Sequence, residues 1–189
     1  MPAMLAAQLA PYITEEEYLE GESLAAGRHE YFDGRVWAMA GATDAHELVA
    51  MNFAGLLWQH LRGKGCRVFK SDMKLRFKRD GKLMYYYPDV IVACDAADNH
   101  QLYRERPKLL VEVMSEDWKK DWVEKAFTYR HIATLEEFVI VDPNPEAPAV
   151  YVARPGEGWD TPDAITGMHA EFTLRSVGLT IKVSELFAV

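Results

Sequence analysis

The chain has 189 residues, 49% hydrophobic, 12% aromatic and 26% charged, enough apolar material for a large core and too much for a disordered, solvent-swollen chain. Twenty-one Lys and Arg face 29 Asp and Glu, a net charge of -8 at pH 7. That balance argues against a broad basic surface for non-specific nucleic-acid or membrane binding and leaves room only for a local basic groove. Cys66 and Cys94 form no CxxC pair and are too few for a disulfide framework or a structural zinc site. They are expected to be small core residues in a reducing compartment.

Residues 1–12 are apolar and uncharged but lack the basic start and long apolar stretch of a signal peptide. No later apolar run approaches the roughly twenty residues of a membrane span, so a cytoplasmic location is expected. With no repeat and no Gly/Ser/Pro linker, residues 1–189 read as one domain.

Thr14 followed by Glu17 is a capping box, with Ile13 and Tyr18 placed to staple it, and predicts a short helix over 15–20. Asp33-Gly34 is a tight-turn pair inside 30–40 and predicts a hairpin. Asp44 with Glu47 opens a second helix whose apolar side, from Leu48 to Trp58, is broad enough to lie on a sheet until Gly63 or Gly65. Strands are expected over 66–77, 86–93 and 108–114, where Val, Ile, Tyr and Phe concentrate. A helix over 119–132, a strand over 137–141 and a turn-rich stop at 143–148 follow. Pieces at 150–153, 171–174 and 179–183 are expected to complete an outer β layer. The order predicts an α/β fold, a mixed sheet with helices packed on it and an additional antiparallel portion.

There is no GxxxxGK[ST] loop, GxSxG elbow or GxGxxG turn, and the six histidines lack ligand spacing. His46, near a helix start, is the one histidine placed to matter. The informative residues are acids where acids are costly: Asp89 opens the apolar run 90–93, and Glu112 sits inside 109–114. Such runs belong to central strands covered on both faces. A carboxylate there must be protonated, paired or bound to a cation. Two on adjacent strands would form an oxygen-rich site suited to Mg2+ or Mn2+; the plainer alternative is that each pairs with an Arg or Lys at a strand end. At 100° per residue, Trp118, Trp122, Ala126 and Tyr129 share a helix face, with Lys125 near its middle. Lys125 would then point at the sheet, to neutralise carboxylates or steady a phosphate, unless its stem merely covers apolar surface while its ammonium reaches water. Lys70, Lys74, Arg76, Lys78 and Arg79 cluster on one strand, either lining a groove or protecting a solvated edge.

The segments YYPDVIV (86–92), LLVEVMS (109–115), DWVEKAFTYR (121–130) and EEFVIVDP (136–143), with HEYFDGRVWAMAGAT (29–43) and SDMKLRF (71–77), resemble the Uma family. This is a bacterial group of restriction-endonuclease-like proteins within the PD-(D/E)XK nuclease superfamily. The resemblance covers nearly the whole chain. It implies a restriction-endonuclease-like mixed sheet flanked by helices, with Asp89 as the first acid and Glu112 as the second. The superfamily's strand lysine, two residues after the second acid, is Met114 here; family members carry a lysine on the following helix, the place of Lys125. Glu30 matches a further acid near the amino end. The implied activity is metal-dependent endonuclease cleavage of DNA, with Asp89, Glu112 and the Val113 carbonyl holding Mg2+ or Mn2+, Lys125 stabilising charge and Glu30 assisting. A homodimer would suit cutting of both strands. The alternative is a nuclease fold without turnover that binds nucleic acid or protein.

Overall fold

The computed structural model describes residues 11–115, 118–160 and 162–189, and within these the side chains of 118–123 lie outside the description. Helix α1 (Glu15–Leu24) starts at the capping box: Thr14 Oγ1 accepts the Glu17 N–H and the Glu17 carboxylate accepts the Thr14 N–H. Strands β1 (His29–Phe32) and β2 (Arg35–Ala38) form the expected hairpin. Asp33 and Gly34 both have positive φ, at 45° and 88°, the conformation a two-residue turn needs to follow the strand twist. Helix α2 (Asp44–Leu61) begins one residue earlier than the acidic pair suggested, because Thr43 is the cap and its Oγ1 accepts the His46 N–H.

The expected strand over 66–77 is two strands, β3 (Arg67–Lys70) and β4 (Lys74–Arg79), lying in different sheets. The expected strand over 86–93 is likewise divided into β5 (Lys82–Tyr86) and β6 (Val90–Ala93). The physical causes are local. Ser71 adopts a left-handed φ of 55°, and Pro88 has no N–H to give a ladder. The two breaks lie side by side, joined by the Ser71 N–H donating to the Asp89 carbonyl at 3.0 Å. The chain continues through β7 (Tyr103–Arg104), β8 (Leu109–Val113), α3 (Trp118–Tyr129), β9 (Glu137–Asp142), β10 (Ala149–Ala153), β11 (Ala164–Thr166), β12 (Glu171–Leu174) and β13 (Leu179–Lys182), then a 3-10 turn at Val183–Phe187.

One sheet has the order β2-β1-β5-β4-β7 and the other β11-β10-β9-β8-β6-β3. The second is antiparallel except for β8 and β9, which run parallel and are joined through α3 as a crossover. β12 and β13 form a separate hairpin rather than extending a sheet. Strands β6 and β8 are buried along their whole length. Val90, Val92, Leu109 and Val111 pack with Val49, Phe53 and Leu57 of α2. Ile91 and Leu110 pack on the other face with Ala126 and Tyr129 of α3 and with Leu75, Phe77 and Met84 of the first sheet. The apolar runs are continuous because both faces are covered.

Cys66 and Cys94 form a disulfide linking the segments that carry β3 and β6, which overturns the expectation of two free core thiols: antiparallel pairing of Arg67 with Ala93 brings the preceding and following residues together. No helix among the described residues is long and apolar enough to cross a membrane. The basic residues are divided between β3, which ends its sheet, and β4, which β5 covers along its length and β7 only at Lys74 and Leu75. β4 lies between β5 and β7, Arg76 is paired with Glu15 at 2.7 Å and Glu105 at 2.5 Å, and Lys70 with Glu47 at 2.7 Å.

Candidate active site

β6 and β8 are antiparallel neighbours with Val90 opposite Val111, and extending that register by one residue sets Asp89 opposite Glu112. The division between β5 and β6 therefore ends β6 at the acid instead of burying it mid-strand. Asp89 Oδ2 accepts the Val113 N–H at 2.7 Å, a bond across the two strands. His46, in the first turn of α2, brings Nε2 to 3.2 Å from the same oxygen, while its buried Nδ1 has no hydrogen-bond partner among the described residues. Burial opposes a charge on His46, but the hydrogen bond and charge of Asp89, with Glu47 and Glu112, outweigh it and raise its pKa.

On β8, alternation turns Val111 and Val113 towards α2 and Glu112 towards α3. Lys125 Nζ donates to Glu112 Oε2 at 2.9 Å, and Tyr129, one helical turn later, donates its hydroxyl to Oε1 at 2.8 Å. Glu112 is 7% exposed in its side chain and Lys125 17%. Burial pushes the Glu112 carboxyl up to about 7; Lys125 and Tyr129 pull against this, and the Asp89 charge adds to it. Burial also opposes the Lys125 ammonium, but the charges of Glu112, Glu30 and Asp89 prevail and hold it protonated. Lys125 thus points into the sheet as the helical spacing predicts. Trp118 and Trp122, which share the predicted stripe, lie outside the described side chains.

Glu30 comes from β1 in the other sheet, and its charge acts on Lys125, Tyr129 and Tyr86. Asp89, Glu112, Lys125 and Glu30 are therefore brought together where the two sheets meet. Tyr129 is the residue that the sequence reading placed only in an apolar stripe. Its position four residues after Lys125 was the available signal that its hydroxyl shares the lysine's target.

Among the described residues no group of three or more His, Cys, Asp or Glu is arranged to hold a metal ion. Among these residues there is thus no zinc-like cage of protein ligands. The arrangement is compatible with Mg2+ or Mn2+, which keep several waters and need one or two carboxylates. The repulsion by which Asp89 raises Glu112 is what a divalent cation would remove, so the donor set fits a hard cation.

Two acids thus face each other on adjacent central strands, with a lysine over them from the crossover helix. The chain belongs to the Uma2 family, described as "Putative restriction endonuclease", whose profile matches residues 15–182. It is 29% identical over 181 residues to the uncharacterized protein slr1290 of Synechocystis sp., covering 94% of this chain and 92% of that one. It is 30% identical over 143 residues to the uncharacterized protein sll1609 of the same organism, covering 74% and 80%. The crystal structure of "a putative nuclease belonging to DUF820" from Anabaena variabilis superposes with a TM-score of 0.70, covering 93% of this chain and 97% of that one at 16% identity. That likeness establishes the shared mixed α/β fold.

Proposed function

We propose that the protein hydrolyses phosphodiester bonds in DNA with the aid of Mg2+ or Mn2+. The observation that carries this reading is the 2.9 Å contact of Lys125 with Glu112 beside Asp89: a cation fixed against an acid pair serves phosphoryl chemistry better than it serves solubility. Asp89, Glu112 and the Val113 carbonyl are the groups that would hold the ion. When bound, the ion supplies a Lewis acid that lowers the pKa of water and polarises the scissile phosphate.

The protein's own groups do the rest. The Val113 N–H and His46 hold the Asp89 carboxylate, and Tyr129 holds Glu112. Lys125, kept protonated by three carboxylates, is no general base. It donates to the phosphate oxygens where charge develops, a contact worth about two orders of magnitude in rate. Glu30 sustains the charge on Lys125 from the opposite sheet. A homodimer would supply two such sites for the two strands of a duplex.

The test is cleavage of labelled single-stranded, duplex and branched DNA, and of RNA, with Mg2+ or Mn2+ and with a chelator. Cutting is expected only with the ion and is expected to fall steeply with salt. Lys125→Met is expected to lose roughly 100-fold, and Met114→Lys in that background to restore part of the rate. Activity that survives the chelator would exclude this mechanism. Absence of cutting on every substrate would favour a second reading, a nuclease fold that only binds nucleic acid or protein. Met114 at the strand-lysine position favours that reading, as does the engagement of both Glu112 oxygens by Lys125 and Tyr129.

A further inference from the structure

Lys74, the first residue of β4, is 9% exposed, and its ammonium lies over an aromatic ring rather than against a carboxylate. The ring is that of Tyr87, 5.2 Å from Nζ to the centroid. Burial lowers its pKa, and the charges of Glu22 and Asp72 only partly offset this. The lysine faces a cleft of about 510 Å³ between the end of α1, the segment before α2 and the β3–β4 break, lined by Glu22, Arg28, Gly41, Asp72 and Tyr87 as well as Lys74.

The acids in this cleft are committed or outward-facing. Glu22 accepts the His29 N–H at 2.9 Å and lies 3.3 Å from the His29 ring. Asp72 is 91% exposed and stands 3.8 Å from Arg28. Arg28 spends one N–H on the Ser71 carbonyl at 3.1 Å and keeps other donors of its fork. An ammonium that opens onto the cleft from a largely buried stem and a guanidinium fork beside it suit a tetrahedral anion with several acceptor oxygens.

We propose that the Lys74–Arg28 cleft is a binding site for a phosphate group. Ser71 joins it to the candidate active site, because Arg28 holds the Ser71 carbonyl and the Ser71 N–H holds the Asp89 carbonyl. Two sources share this chemistry: a phosphodiester of a strand running on from the scissile bond, or the phosphomonoester of a free nucleotide. The first source rests on the nucleic-acid reading above; the site itself does not.

The full chain is titrated with inorganic phosphate in chelator, with binding followed by calorimetry. Lys74→Met keeps the stem against Tyr87 and removes the charge; Arg28→Gln is the second variant should the first fail to fold. Each is expected to weaken phosphate by about tenfold or more, the scale of one charge-assisted hydrogen bond. Equal affinity in wild type and variants, or no phosphate binding by the wild type, overturns the proposal. A single-stranded oligonucleotide and a 5′-mononucleotide are then compared in an Asp89→Asn background without metal. Weakening of the oligonucleotide by Lys74→Met assigns a backbone phosphate; weakening of the mononucleotide alone assigns a free phosphomonoester. Because no cleavage is read, this outcome stands apart from the presence or absence of nuclease activity.

Discussion

Replacing Lys125 with Met exposes the electrostatics of the site through stability alone, in chelator and without substrate. The stem is kept, so the change removes the ammonium that donates to Glu112 at 2.9 Å. In the wild type the Glu112 carboxyl, lifted by burial, titrates at about 7 from an ordinary 4.5. A folded state that holds this proton when the unfolded state has released it loses about 1.4 kcal/mol per pH unit as pH rises. For the wild type the loss begins near 4.5 and stops once Glu112 ionises, near 7. Without Lys125 the folded carboxyl stays protonated to higher pH, because the Tyr129 hydrogen bond and the His46 charge alone are left to oppose burial and the Asp89 charge, and the loss continues. The gap between the two stabilities is expected to widen as pH rises above 7, by at most about 1.4 kcal/mol per pH unit. Urea unfolding at a series of pH values, with the slope checked for two-state behaviour, reads this directly. A difference that stays constant from pH 6 to 9 would refute the coupling of Lys125 to Glu112.

Asp89→Asn is expected to fold with near wild-type stability, since the amide oxygen can still accept the Val113 N–H, and to abolish Mn2+ binding in a calorimetric titration; a variant that fails to fold would instead make Asp89 a structural ion-pair residue. The Arg76 guanidinium, with a further hydrogen bond from Tyr85, holds Glu15 below its ordinary value against its partial burial. Its contribution is therefore present above about pH 4.5 and lost as pH falls through the lower folded value. Glu15→Gln should cost roughly 1 kcal/mol at pH 7, discounted for solvent exposure, and the gap in acid-unfolding curves should narrow as pH falls below 4.5. Gly34 sits at φ 88°, where a Cβ would meet the Tyr12 ring at 2.1 Å. Gly34→Ala should cost about 1 kcal/mol or more, and Tyr12→Ala in the same chain should recover only the steric part of the lost thermal midpoint.

The sequence carries local devices more clearly than it carries the path between sheets. The capping box at Thr14 and the turn at Asp33-Gly34 are four-residue and two-residue chemistries, and both form as read. The helix–sheet relation of Lys125 to Glu112 was also legible, because a charge in an apolar stripe marks a buried partner. The breaks at 71–73 and 87–89 were not. Period-two apolar patterning continues across them, since each half-strand is buried by a different sheet, and only Pro88 signals an interruption. The basic residues of β4 were ambiguous for the same reason: the acids that neutralise Arg76 come from α1 and from residue 105, 61 residues before it and 29 after. Glu30 entered by resemblance alone, and nothing local to a hairpin announces that its charge reaches a helix almost a hundred residues away.

The adjacent crossings at Ser71 and Asp89 give the protein a seam. The two sheets share a packed core, in which Ile91 and Leu110 meet Leu75, Phe77 and Met84, and the chain passes directly between them twice at one place, with the Ser71–Asp89 backbone hydrogen bond between the two passages. The first acid of the site is part of that crossing. Because Asp89 lies at this crossing while Glu112 lies within β8, the crossing takes part in setting the spacing of the acid pair. Substitutions at Ser71 or Asp72 are expected to act on that spacing without removing a core side chain, whereas Met73 packs against the core that the two sheets share.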